Sequence, residues 1–199
     1  LRPDAQLLKK AAAFLQEGRT VVYPTETFYA LGVSAYHEQG IQKVFAIKGR
    51  TADKPLPLII CGEAMLKEVA VQIPHCASTL IRSFWPGPLT LIFKASEKIP
   101  PLLTADTGTV AVRDSSHPLA RLLVQAARAP ITATSANVSS AASCATAEKV
   151  EQQLGDRIDL IIDGGATPGA LPSTIVDLTA SPPRIVREGA ISSELLRPY

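Results

Sequence analysis

Thr20-Val21-Val22-Tyr23-Pro24-Thr25-Glu26-Thr27-Phe28-Tyr29-Ala30-Leu31-Gly32 is the stretch that decides the fold class. Its apolar opening, Thr20 to Tyr23, is too short for a helix and reads as a buried strand running into Pro24. Polar side chains follow at once. The same order, a short apolar run and then a polar cluster, recurs where Val110 to Arg113 leads into Asp114 and where Ile131 to Thr134 leads into Ser135-Ala136-Asn137. A further strand, Leu56 to Ile60, opens with prolines that suit a strand start or edge. Leu89 to Phe93, Leu160 to Ile162, Thr174 to Leu178 and Arg184 to Arg187 read as strands too, and the turn Trp85-Pro86-Gly87-Pro88 leads into the first of them.

Between these runs the spacing turns helical. Asp4 caps a helix with Leu7, Leu8, Ala11, Phe14 and Leu15 on one face and Gly18 at its end. Ile41, Val44 and Phe45 mark a second helix that stops near Lys48-Gly49. Others are expected at Glu63 to Ala70, Cys76 to Phe84, from Ser116-His-Pro118 through Leu119, Leu122, Leu123 and Ala126, at Ala147 to Leu154, and from Ser192. Interleaved strands and helices predict an α/β (α+β) fold with one sheet covered by helices. No repeat or linker divides the chain, so residues 1–199 read as a single domain.

Composition narrows the function classes. The 46% hydrophobic and 19% charged content belongs to a globular chain rather than a disordered one. A net charge of +2 calls for no nucleic-acid partner, although a local basic patch stays open. Cys61, Cys76 and Cys144 form no pair in sequence, and His37, His75 and His117 are scattered, so no metal site is expected. No apolar run approaches the roughly 20 residues of a membrane span, and Leu1-Arg2-Pro3-Asp4 is not a signal peptide. A cytoplasmic location is the expectation.

Ligands of open α/β sheets bind beyond the strand ends, where the polar clusters lie. Thr25-Glu26-Thr27 reads either as a ligand-binding turn or as a helix N-cap with its capping carboxylate. Lys48-Gly49-Arg50, with Lys54 behind, suits a polyphosphate, or a solvated helix C-terminus. Ser135 and Asn137 face one ligand, or make an Asx-type turn. Arg113 takes a carboxylate bidentately, or pairs with Asp114 or another acid. Walker, Gly-x-Gly-x-x-Gly and Gly-x-Ser-x-Gly signatures are absent from the sequence. The residues alone therefore reach an anion-binding α/β domain.

The stretches Tyr23–Gly32, Lys48-Gly-Arg50, Lys54-Pro-Leu56, Trp85–Thr90, Val110–Arg113 with His117-Pro118, Thr134-Ser-Ala-Asn137 and Ser173–Asp177 resemble, in order, the Sua5/YrdC/YwlC family of threonylcarbamoyl-AMP synthases. The resemblance implies a twisted, open, mixed sheet flanked by helices with a concave basic cleft, in the short single-domain form of the family. It implies a nucleotidyltransferase that joins L-threonine, bicarbonate and ATP into threonylcarbamoyl-AMP and pyrophosphate. The product would pass to partner proteins that modify tRNA adenosine 37 (t6A). ATP would be a substrate and Mg²⁺ would arrive on it. The implied catalytic set is Lys48, Arg50, Ser135 and Asn137. Thr27, Ile59, Arg113, Ala133 and Ser173 would contact threonine, the backbone serving at Ile59 and Ala133. Lys48, Arg50, Lys54, Thr109, Ser135, Asn137, Ser143 and Arg187 would contact ATP. Closure over the nucleotide is expected from local loops such as Ala166 to Pro172. Lys48→Ala and Arg50→Ala are expected to slow turnover with folding barely affected, given that both side chains face the cleft.

Three positions depart from the family pattern. Ala30 and Ser140 replace glycines, and Thr51 replaces a proline, which bears on loop geometry. Alternative readings are a module that binds double-stranded RNA or tRNA, a paralogue that adenylates or carbamoylates another acceptor, and a sugar-phosphate enzyme with acidic metal ligands, for which Glu26 alone is a thin basis.

Overall fold

Val21, Val22 and Tyr23 have no exposed surface, as an apolar run between two packed faces requires, and they form β1 (Val21–Pro24). In the computed structural model, which describes residues 4–198, β1 turns back at once into β2 (Tyr29–Gly32) as an antiparallel hairpin. Thr25-Glu26-Thr27 is therefore the hairpin loop and not a helix cap. Leu1 to Pro3 and Tyr199, the outer limits of the expected domain, lie outside the described residues.

The remaining strands are β3 (Leu58–Ile60), β4 (Ala70–Val71), β5 (Leu89–Ala95), β6 (Thr109–Asp114), β7 (Ile131–Thr132), β8 (Thr134–Ser135), β9 (Leu160–Ile161), β10 (Thr174–Asp177) and β11 (Arg184–Arg187). They form two sheets where the sequence predicted one: a four-stranded sheet, β8-β2-β1-β9, and a seven-stranded one, β11-β10-β5-β6-β3-β7 with β4 on β5. Both are mixed, as expected. The run Ile131 to Thr134, predicted as one strand, is what divides them. Thr132 pairs with Leu58 of the larger sheet and Thr134 with Leu31 of the smaller, while the Ala133 amide between them donates to the Pro57 carbonyl at 2.8 Å. Each piece is too short to show a period of its own.

Helices α1 (Ala5–Gln16), α2 (Glu38–Lys48), α3 (Gly62–Val69), α4 (His75–Phe84), α5 (Pro101–Thr104), α6 (Pro118–Ala127), α7 (Ala147–Leu154) and α8 (Ser193–Leu196) cover the sheets. Asp4 caps α1, accepting from the Gln6 amide. His117, rather than Ser116, caps α6, its Nδ1 accepting from the Leu119 amide with Pro118 behind it. Gly49, at φ 58°, ends α2 in the left-handed conformation that glycine adopts without strain, so the chain reverses between Lys48 and Arg50. One core joins both sheets to α2 and α4 through residues such as Leu31, Phe45, Leu58, Leu80 and Leu91. A smaller one lies under α1 and α6 around Leu15, Tyr23, Ile59 and Leu123. Among the described residues, no helix is long and apolar enough to cross a membrane.

Candidate functional site

The two sheets leave a cleft with two arms. One arm, about 390 Å³, is lined by hydroxyls (Thr27, Thr90, Ser143, Ser173), by Arg113 and Arg187, and by small or apolar residues including Ala30, Ala111 and Ala133. The other, about 400 Å³, is lined by Lys48, Lys54, Asn137, Ser139 and Ser140. Arg50, Thr134 and Ser135 border both arms and join them.

In the second arm the turn at Gly49 sends Lys48 inward. Its side chain is almost wholly buried, and Nζ donates to the Ser135 carbonyl, the Asn137 carbonyl (2.9 Å) and Asn137 Oδ1 (3.3 Å). An ammonium has three protons, and all three are engaged. Burial, and then the charge of Arg50, push its pKa down to about 8. Asn137 is equally committed: Oδ1 also accepts from the Ser135 hydroxyl, and Nδ2 donates to the Val138 carbonyl (2.9 Å) and the Ala141 carbonyl (2.6 Å). Lys48 and Asn137 thus hold the 135–141 loop against the end of α2. The expectation that Lys48 could be truncated with little effect on folding assumed a side chain that only faces the cleft, whereas these bonds tie it to the loop as well.

Arg50 is the less committed cation. Its Nη2 donates to the Pro55 carbonyl at 3.3 Å, while its buried Nε has no partner. Ser140, where the family pattern has glycine, takes φ 73°, so the loop keeps its glycine-type shape with a residue that is strained there. Thr51, in place of proline, donates to Asp53. Ala30 pairs with Ser135 across the smaller sheet and leaves that edge of the cleft open, as a small residue must.

In the hydroxyl arm the hairpin loop is tied by its own side chains. Thr25 Oγ1 donates to the Phe28 carbonyl at 2.7 Å and lies 3.0 Å from Thr27 Oγ1. Arg113, buried, donates from Nη1 to Glu26 and to Thr27 Oγ1 (3.4 Å). Arg187 donates from Nη2 to the carbonyl of Ser173 (2.8 Å) and to its hydroxyl (3.3 Å), and Ser173 Oγ lies 2.9 Å from Thr90 Oγ1. Burial, and then the charge of Arg113, hold the Arg187 pKa below its ordinary value. Two neighbouring guanidiniums of this kind favour an anion.

Two predicted contacts fall outside this lining. Ile59 is a buried residue of the smaller core, and its neighbours Pro57 and Leu58 line the cleft instead. Thr109 lies at the start of β6, bonded to Thr107. Thr90 lines the hydroxyl arm and is not among the ligand contacts expected from the sequence. Thr90 had a legible signal, because it is a polar residue alternating with the wholly buried Leu89 and Leu91.

The segment Ala166 to Pro172 is tied to its surroundings. The Thr167 amide donates to the Ala145 carbonyl (2.8 Å), the Gly169 amide to the Thr27 carbonyl (2.9 Å), and the Ala190 amide to the Pro172 carbonyl (2.8 Å). Closure by this segment would break such bonds, apart from movement at Ala170 and Leu171. Among the described residues there is no group of three or more His, Cys, Asp or Glu arranged to hold a metal.

The family model Sua5/YciO/YrdC, described as telomere recombination, matches residues 13–189. The chain belongs to this family. Within the Sua5/YciO/YrdC family it is 41% identical over 187 residues to the threonylcarbamoyl-AMP synthase of Pyrococcus abyssi, covering 94% of this chain and 55% of that protein. It is 39% identical over 188 residues to the Bacillus subtilis threonylcarbamoyl-AMP synthase, covering 94% and 54%. The chain thus spans about half the length of these curated relatives. The crystal structure of P. abyssi Sua5 complexed with L-threonine superposes with a TM-score of 0.97 at 39% identity, covering 100% of this chain and 58% of that one.

Proposed function

We propose that this Sua5/YciO/YrdC chain is a threonylcarbamoyl-AMP synthase, a nucleotidyltransferase that condenses L-threonine, bicarbonate and ATP. The observation that carries the reading is the joined pair of arms, with Arg50 and Ser135 on the boundary. A reaction between two anions needs two anion sites that meet. The names of its relatives and the threonine held by P. abyssi Sua5 support the choice of substrates.

The hydroxyl arm would take the amino acid, with its carboxylate on Arg113 and its polar groups facing Thr27, Ala133 and Ser173. The basic arm would take the triphosphate on Arg50 and Lys54, with Ser143 and Arg187 near the junction. Threonine's neutral amine adds to the carbon of CO₂ and gives up a proton, or condenses with bicarbonate and releases water, and either route gives a carbamate. A carbamate oxygen then attacks the α-phosphorus, its bond forms as the bond to pyrophosphate breaks, and no enzyme nucleophile is needed. The chain's part is positioning and stabilisation of the charge that grows on the phosphate. In this reading Lys48 and Asn137 set the loop that presents Ser135, and Arg50 is the cation at the reacting phosphate. Mg²⁺ would ride on the nucleotide, because cations rather than carboxylates line the basic arm.

The product would go to partner proteins that complete t6A on tRNA, in the cytoplasm. Chromatography of nucleotides from protein incubated with ATP, Mg²⁺, bicarbonate and L-threonine tests the reading. A new adenylate and pyrophosphate, each lost when threonine or bicarbonate is omitted, support it. ATP turnover indifferent to threonine overturns it.

A further inference from the structure

Glu26 is a largely buried carboxylate that the proposed chemistry does not use. Its side chain is 12% exposed and accepts on one oxygen from Arg113 Nη1 and on the other from the Ser115 hydroxyl. Ser115 in turn accepts from the His117 amide at 3.2 Å, and His117 caps α6. Neither Glu26 nor Ser115 lines the cleft, whereas Arg113 does. Glu26 belongs to the hairpin loop of the four-stranded sheet, whereas Arg113 lies near the end of β6 in the seven-stranded one and Ser115 directly follows that strand. The carboxylate therefore bridges the two sheets directly behind the cleft wall.

We infer that Glu26 is a positioning residue that orients the Arg113 guanidinium for the carboxylate of the amino-acid substrate, with Ser115 fixing Glu26 in turn. The inference rests on the assignment of the hydroxyl arm to an amino acid. An arginine side chain has several free rotations, and a planar fork recognises a carboxylate only when it is held in one plane. Here one nitrogen, Nη1, is anchored by Glu26 and Thr27, so the rest of the fork is set relative to the cleft before any ligand arrives. The same anchor leaves an anion-binding cleft with its cations in place, because Glu26 sits behind Arg113 rather than between it and a ligand. Other charged groups close enough to affect Glu26 or to be affected by it are Asp114, itself paired with Arg121, and His117.

The test is a cycle of Glu26→Gln, Arg113→Ala and the double variant, read by KM for L-threonine, KM for ATP and kcat. Glu26→Gln keeps the size and the acceptor for Ser115, so it guards against failure to fold. The KM for threonine is expected to rise roughly tenfold or more, the scale of a lost hydrogen bond to a charged group, with the KM for ATP nearly unchanged. In the Arg113→Ala background the same change should add almost nothing, because a residue acting through Arg113 has nothing left to orient. Full additivity, or equal rises in both KM values, would overturn the inference. The Arg113 guanidinium nitrogen NMR signal gives a readout independent of turnover. Its hindered rotation should be lost in Glu26→Gln even if threonine proves to be the wrong acceptor, and hindered rotation that persists would overturn the inference. Wild-type protein that ignores threonine would instead count against the proposed function.

Discussion

The two arms of the cleft hold their cations in opposite ways. In the basic arm Lys48 is buried and saturated by its own loop, and Arg50 beside it keeps a buried Nε without a partner. In the hydroxyl arm Arg113 and Arg187 are each anchored on one side, by Glu26 and Thr27 and by Ser173, while both still line the cavity. A motif such as Lys-x-Arg thus contains two different jobs. In the proposed reading the lysine builds the loop, and the arginine meets what the loop faces.

That contrast is broken most sharply at Lys48 and Arg50. Lys48→Ala leaves two carbonyls and an amide oxygen without their shared donor, and should lower stability by roughly 2–4 kcal/mol, the cost of orphaned buried acceptors. Arg50→Ala should fold normally and lose about 10²-fold or more in kcat, the scale for one electrostatic stabiliser. Denaturant melts and turnover measured side by side check both. If Lys48→Ala melts like the wild type, the loop does not depend on it.

The pH dependence sharpens the same point. Lys48 loses its proton in the folded protein at about 8, against an ordinary 10.5, because burial disfavours the charge. Turnover should therefore fall as pH rises through about 8, when Lys48 loses its charge and one of the three N–H donors that tie the loop. Stability should not fall with it through this group. Between about 8 and 10.5 the unfolded chain binds the proton more readily than the folded one, so the Lys48 contribution rises with pH over that window. Paired pH profiles of kcat and of the denaturation midpoint test this, and loss of stability that tracks loss of turnover would contradict it.

A smaller effect is expected at the loop's strained corner. Ser140→Gly relieves a left-handed residue and should raise stability by up to about 1 kcal/mol, measured by thermal melting. Destabilisation would mean that the serine side chain is needed there.

Much of the fold was legible because the strands Val21–Pro24, Leu89–Ala95 and Thr109–Asp114 carry dense apolar runs, and α1, α2 and α7 carry helical spacing with caps. What escaped was short or non-local. β2 follows so closely on a polar loop that Thr25 to Thr27 also read as a helix start. β7 and β8 share one apolar run whose two halves pair with different sheets, and only tertiary contact separates them. The site was visible as residue types and not as roles. Nothing in sequence distance joins Glu26 to Arg113, or tells the saturated Lys48 from the open Arg50. These facts appear only when the two sheets meet.

Crossed titrations test the two-arm account most directly, with ATP and L-threonine each measured against wild type, Arg50→Ala and Arg113→Ala by calorimetry. The account predicts that Arg113→Ala weakens threonine roughly tenfold or more with ATP little changed, and that Arg50→Ala weakens ATP with threonine little changed. Loss of the same ligand in both variants, or the reverse pairing, would contradict it.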